Sequence, residues 1–179
     1  MVDKKLIYLT KAAVIAALYT VLTYVAVAMN LAYGPVQFRF SEALTILPIF
    51  TPAAIPGLAI GCFLSNLASP MGIVDWVFGT SATLLAAIFT RMLRHIEIKG
   101  IPFLSILMPV IFNMAVIGFE IACISDATGS FSFVNFSPLI FGSAALSVGI
   151  GELVVCFGLG IPLIFAVRKT GLDKGILNL

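Results

Sequence analysis

Four carboxylates, one guanidinium and two amides stand where the surrounding sequence is almost entirely apolar: Glu42, Asp75, Glu120, Glu152, Arg39, Asn66 and Asn113. A charge in lipid costs roughly 2.5–3.5 kcal/mol on insertion scales, so it turns toward a partner or a cavity. Carboxylates accept strong charge-assisted hydrogen bonds, and amides both donate and accept. Such groups converging inside an apolar bundle are what a small-molecule pocket requires. Other chemistries lack their residues. The chain has no G-x-x-x-x-G-K-[ST] phosphate loop, no metal-ligand spacing among Cys62, Cys123, Cys156 and His95, and no serine–histidine arrangement. The expectation is a binding site without catalytic residues, metal or cofactor.

Each polar residue also has a plain structural reading. Arg39 and Glu42 lie three apart, the spacing of a pair on one helix face. Asp75 either begins a helix, where its charge meets the positive end of the helix dipole, or faces a ligand. Trp76 either anchors at the membrane interface or stacks on a ring. Asn66 and Asn113 either bridge helices or read a ligand. Glu120 and Glu152 are harder to place as structure alone, because a carboxylate deep in a bundle needs a partner.

The elements that position these groups follow from composition. Of 179 residues, 61% are hydrophobic and 10% charged, against about 25% charged in soluble domains. The expected fold is all-α, a single membrane domain over residues 1–179. The apolar segments predict helices at Leu6–Asn30, at Val36 or Ser41 to Phe50, and at Pro52–Ala68, Ile73–Met92, Ile101–Ser125 and Pro138–Val167. The second is short for a span, which normally needs ~20 residues. With six crossings, Lys4, Lys5, Lys11, Arg91, Arg94, Lys99, Arg168, Lys169 and Lys174 fall on one side and only Arg39 on the other. That asymmetry sets both termini in the cytoplasm. The polar groups then lie in the outer half or near the midplane. Lys4 and Lys5 before an apolar run resemble a signal peptide, but the run is too long for one and further spans follow. The three cysteines, widely spaced in apolar runs, are expected to be small buried hydrophobes.

These residues carry a family resemblance. Gln37–Cys62 (QFRFSEALTILPIFTPAAIPGLAIGC) and Leu64–Leu67 resemble the QueT family, and so do Asp75–Ala87 (DWVFGTSATLLAA), Pro109–Gly118 with Glu120, and the pair Gly151-Glu152. The alanines of the first helix are similar to those of substrate-binding S components of energy-coupling factor (ECF) transporters. The resemblance implies a bacterial plasma-membrane protein that captures a queuosine precursor from outside: a 7-deazaguanine with an aminomethyl or cyano group, or queuine. It implies a shared transmembrane scaffold and two cytoplasmic ATPases as partners, with Ala12, Ala13, Ala16 and Ala17 at the scaffold contact. It involves no nucleic acid.

For such a ligand, one carboxylate accepts the two donors of a guanine edge and a second meets an aminomethyl cation, with Arg39 either balancing the remaining negative charge or contacting the carbonyl. Tyr33, Phe38 or Trp76 supplies a stacking surface. The alternatives are an S component for another vitamin-like molecule and a small membrane enzyme using Glu120 and Glu152 as acid and base.

Overall fold

Between Arg39 and Pro52 the chain forms ten residues of 3-10 helix, Phe40–Ile49, rather than α-helix. This is the element on which the bundle is built. A 3-10 helix rises about 2.0 Å per residue against 1.5 Å for an α-helix, so ten residues reach about 20 Å. Every residue from Ser41 to Ile49 is buried, which fits a segment apolar on all sides. It packs against all six α-helices. Two side chains complete its backbone bonding. The Thr45 hydroxyl donates to the Glu42 carbonyl, and Arg91 donates to the carbonyls of Pro48 and Ile49 at 2.9 and 3.3 Å. Arg91 thereby caps the helix end, where the N–H groups of Phe50 and Thr51 both go to the Leu47 carbonyl and Pro52 has none.

The computed structural model describes residues 3–32, 37–124 and 130–173. Its α-helices are α1 (Lys4–Ala28), α2 (Ala54–Asn66), α3 (Ile73–Met92), α4 (Phe103–Ala122), α5 (Pro138–Gly158) and α6 (Gly160–Thr170), and no strand occurs among the described residues. Helices adjacent in sequence pack against each other, α1 on α2 through to α4 on α5, around the 3-10 helix. By length and composition α1, α3, α4 and the combined α5–α6 rod are each able to cross a membrane, while the 3-10 helix and α2 are shorter. The protein is a multi-pass membrane protein.

The expected boundaries hold to within a few residues, with two differences of kind. One is the 3-10 geometry of the short second helix. The other is a break in the last, where Leu159 ends α5 and precedes α6. Pro162 causes it: its ring lacks the N–H that would bond the Gly158 carbonyl, and Gly158 and Gly160 are poor helix formers.

Pro109, inside α4, is accommodated differently. It withholds an N–H from the Ser105 carbonyl. Thr90 of α3 supplies the donor instead at 3.0 Å, and the Ser105 hydroxyl donates back to the Thr90 carbonyl at 3.0 Å. Side chains of a neighbouring helix re-satisfying freed backbone is how proline is tolerated in lipid.

Close helix approach comes from small residues. A Cβ on Gly57 would lie 2.8 Å from the Ala12 carbonyl oxygen, and one on Gly61 2.8 Å from that of Ala16. Ala12 and Ala16 are therefore buried against α2, whereas Ala13 and Ala17 are exposed on the adjoining face of α1. Of the four alanines expected at a scaffold contact, two are already covered by the chain itself.

The basic ends of the elements meet. Tyr8 of α1 reaches the Pro52 carbonyl at 3.5 Å, Arg91 lies at the end of the 3-10 helix, and Arg168 of α6 pairs with Glu97 and donates to the Gly100 carbonyl. The opposite end carries Asn66, Asp75 and Glu120. Cys62, Cys123 and Cys156 are free and buried, as their apolar surroundings imply.

Candidate functional site

Four helices each place one stripe toward the start of the 3-10 helix. On α1 it is Tyr19 and Thr23, on α3 Asp75, Gly79 and Thr83, on α4 Asn113, Ile117 and Glu120, and on α5 Val148, Glu152 and Cys156. Each follows the three- or four-residue spacing of one helix face. The 3-10 helix itself adds Glu42, with Arg39 just before it. Arg39, Glu42, Gly79, Thr83, Asn113 and Glu152 line one cavity, together with Gln37, Ile117 and Val148.

The polar groups form two poles, one at the end of the bundle away from the basic residues (outer) and one deeper within the bundle (inner). At the outer pole Arg39 approaches Asp75 at 4.0 Å and Asn66 Oδ1 at 3.5 Å. Asn66 Nδ2 in turn donates to the Asp75 carbonyl at 3.1 Å. Gly79 makes this assembly possible, since a Cβ there would lie 2.5 Å from Asn66 Nδ2 and 2.8 Å from Asp75 Oδ1. Asp75 is thus both an acid in the first turn of α3 and the partner of Arg39. The Arg39–Glu42 pairing allowed by their spacing is not the one that forms. Glu120 belongs to this pole: Asp75 and Arg39 are the charges that act on it. It is wholly buried, and neither carboxylate oxygen has a hydrogen-bond partner among the described residues.

At the inner pole Tyr19 donates its hydroxyl to Glu42 Oε1. Asn113 Nδ2 donates to Glu152 Oε1 at 2.6 Å and also borders Glu42. The Cys156 thiol approaches Glu152 Oε2 at 3.4 Å. Glu42 Oε2 has no partner among the described residues. Both carboxylates are buried, and both line the cavity.

Of the sequence candidates, Arg39, Glu42, Asn113 and Glu152 line the cavity, while Asn66 and Asp75 meet Arg39 without lining it and Glu120 is linked to Asp75 and Arg39 by charge alone. Trp76 is directed elsewhere, packing edge-on against Phe63 with ring centroids 6.2 Å apart. Phe38 is half-buried beside the cavity residue Gln37 but does not line the cavity. Tyr33 lies outside the described residues. Tyr19, Gly79, Thr83 and Gln37 were not among the sequence candidates. The four-residue spacing of Asp75, Gly79 and Thr83 was the available signal for two of them.

The space in the cavity open to the centre of a water molecule is about 10 Å³, roughly enough for one water. Gln37 closes one side, its carbonyl oxygen seated where a Cβ on Gly151 would be. Beyond Gln37 and Val148 an open groove runs between α4 and α5, past Ile121, Ile140 and Ser147.

Residues 9–169 match the profile of the QueT transporter family. The chain belongs to the QueT transporter family. The queuosine precursor transporter QueT of Lactococcus lactis subsp. cremoris (strain MG1363) is 40% identical to it over 73 residues, which are 41% of this chain and 43% of that relative. The aligned stretch thus spans less than half the relative's length. No solved structure gives a significant match. Within this QueT transporter family member, the two polar poles are the feature that an apolar bundle does not otherwise need.

Proposed function

We propose that the protein is the substrate-binding membrane subunit of an importer, and that it captures a queuosine precursor, a 7-deazaguanine, in the cavity between the two poles. Membership of the QueT transporter family supports a transport role, and the name of the Lactococcus relative supports the substrate class. The observation that carries the reading is Glu120: a wholly buried carboxylate, outside the cavity lining itself, whose two oxygens have no hydrogen-bond partner among the described residues and which feels the charges of Asp75 and Arg39. A guanine edge offers two adjacent N–H donors and a carbonyl acceptor. Glu120 takes the donors as a two-point, charge-assisted pair, and Arg39 donates to the carbonyl. Leaving a buried acceptor unpaired costs ~1–3 kcal/mol, so ligand binding recovers a penalty that the empty protein carries.

In this reading the chain crosses the membrane six times with its basic end and both termini in the cytoplasm, and the ligand enters from the opposite side. The 10 Å³ cavity then represents a closed site that Gln37 and its neighbours must vacate. Energy comes from partners, an ECF scaffold with two ATPases, and the exposed pair Ala13 and Ala17 offers the scaffold a smooth helix face. The plasma membrane of a bacterium is the compartment that fits.

A panel of ligands tested for thermal stabilisation of the purified protein checks the substrate class, because a ligand bound only by the folded state raises stability. Deazaguanines should raise the melting temperature, and flavin and thiamine should not. A shift with a flavin or thiamine and none with any deazaguanine would replace this reading with that of another vitamin carrier.

A further inference from the structure

We infer that the basic end of the bundle carries a site for one anionic phospholipid. An acyl chain lies in the groove between the turn Ile98–Ile101 and α6, and the headgroup phosphate meets Lys99. The cavity between the two poles takes no part, so this stands apart from the function proposed above.

Three observations carry it. The first is the groove. Ile98, Ile101, Phe103 and Ile161 line it, Lys99 is its single polar residue, and it offers about 440 Å³, within the roughly 300–1,000 Å³ of small-molecule pockets. Its walls are fixed. Ile98 and Ile101 exchange backbone hydrogen bonds at 2.9 and 3.0 Å. Phe103 packs on Phe157 with ring centroids 5.1 Å apart. Arg168 donates to the Gly100 carbonyl in the turn. Yet Ile98 is 62% exposed and Phe103 44%, an apolar surface that the chain itself leaves uncovered.

The second is charge. Lys99 is exposed and forms no ion pair among the described residues. Glu97 is taken by Arg168, and Asp173 lines a separate groove with Arg94 and His95. The exposed Lys169 follows Arg168 on α6. An unpaired ammonium on the rim of an apolar groove suits an anion that brings its own hydrocarbon. A zwitterionic headgroup would bring a second cation into the same place.

The third is depth. Ile161 stands in the first turn of α6, seven residues before Arg168, which is about 10 Å along the helix axis. Lysine and arginine at the ends of spanning helices reach for the headgroup layer. The groove therefore lies on the hydrocarbon side of that layer, continuous with the exposed apolar surface at Leu153 and Leu159. A phospholipid has the same order, phosphate first and chain beneath.

Thermal unfolding of the purified full chain in detergent tests this, with titration of dioleoyl phosphatidylglycerol, dioleoyl phosphatidylcholine or glycerophosphate. Phosphatidylglycerol should raise the melting temperature at lower concentration than phosphatidylcholine, and glycerophosphate should not raise it. Lys99→Asn removes the charge and keeps a residue that tolerates the φ of +52° found there. It should increase the half-saturating phosphatidylglycerol concentration roughly 5-fold, the effect of one basic residue near an anionic surface. Ile98→Thr should weaken the response to both lipids. Lys5→Asn, which removes the same charge elsewhere at the basic end, should respond like the parent. Equal responses of the parent to the two lipids, a response to glycerophosphate alone, a parent-like response in Lys99→Asn, or an equal loss in Lys5→Asn would each overturn the inference. Parent-like lipid responses in both groove variants, with loss of a co-purifying protein partner, would overturn it too and assign the groove to that protein.

Discussion

The carbonyl of Gln37 fills the space that a side chain on Gly151 of α5 would need: a Cβ there would lie 1.8 Å from the Gln37 oxygen. The chain entering the 3-10 helix can lie against α5 only because residue 151 has no side chain. That contact closes the cavity next to Glu152. Gly151→Ala should displace Gln37 and hold the site open. Overpacking of this kind costs ~1–3 kcal/mol. We expect a lowered melting temperature together with weakened ligand binding, and calorimetry beside a thermal scan measures both. Unchanged affinity in the variant would mean that the Gln37 contact has no part in holding ligand.

The alanines of α1 separate two roles that share one helix. Ala12 and Ala16 lie against Gly57 and Gly61, while Ala13 and Ala17 are exposed. Gly61→Leu should therefore destabilise the isolated protein. Ala13→Leu and Ala17→Leu should leave its unfolding and ligand affinity near those of the parent, yet prevent co-purification with the scaffold and ATPases and abolish uptake. Normal assembly of both alanine variants would move the docking face elsewhere.

The reciprocal bonds between Thr90 and Ser105 make a prediction independent of any ligand. Thr90→Val keeps the shape but removes the donor that serves the Ser105 carbonyl freed by Pro109. A buried acceptor left unpaired costs ~1–3 kcal/mol, so the melting temperature should fall. Pro109→Ala restores the backbone N–H, and in that background the same substitution should cost less. Equal losses in both backgrounds would show that the hydroxyl is not replacing the missing donor.

Topology has its own check. Single cysteines at Ser132 and at Glu97, in a background lacking Cys62, Cys123 and Cys156, should differ in intact cells. The first should react with an impermeant reagent and the second should not. Labelling at Glu97 from outside would break the six-crossing arrangement.

Much of this was legible in the sequence, for a physical reason. In a chain this apolar, a buried charge has nowhere to go but a shared interior, so Arg39, Glu42, Asp75, Glu120 and Glu152 were bound to find one another or a cavity. The extent of Ile73–Met92 was equally plain, marked by a turn before it and basic residues after it. What the sequence hid was rotation and pairing. A helix that is hydrophobic all round gives no stripe to orient it, so nothing told Ala12 from Ala13, or turned Trp76 toward Phe63 instead of the cavity. The hydroxyl of Tyr19 was invisible as a site residue because its partner, Glu42, lies 23 residues away. The 3-10 geometry of Phe40–Ile49 was hidden too, since a segment buried on all sides has the same composition in either helix type.

We propose above all that the buried carboxylate of Glu120, without a hydrogen-bond partner among the described residues, reads the guanine edge of the ligand. Titration of 7-aminomethyl-7-deazaguanine into the parent protein and into Glu120→Gln tests it most directly. Glutamine keeps the size but offers one acceptor where the carboxylate offers two, and it brings donors that oppose those of the ligand. The account predicts an affinity lower by roughly 10- to 150-fold, the equivalent of ~1.5–3 kcal/mol, in a protein whose unfolding is no less cooperative than that of the parent. Parent-like affinity in folded Glu120→Gln would contradict it.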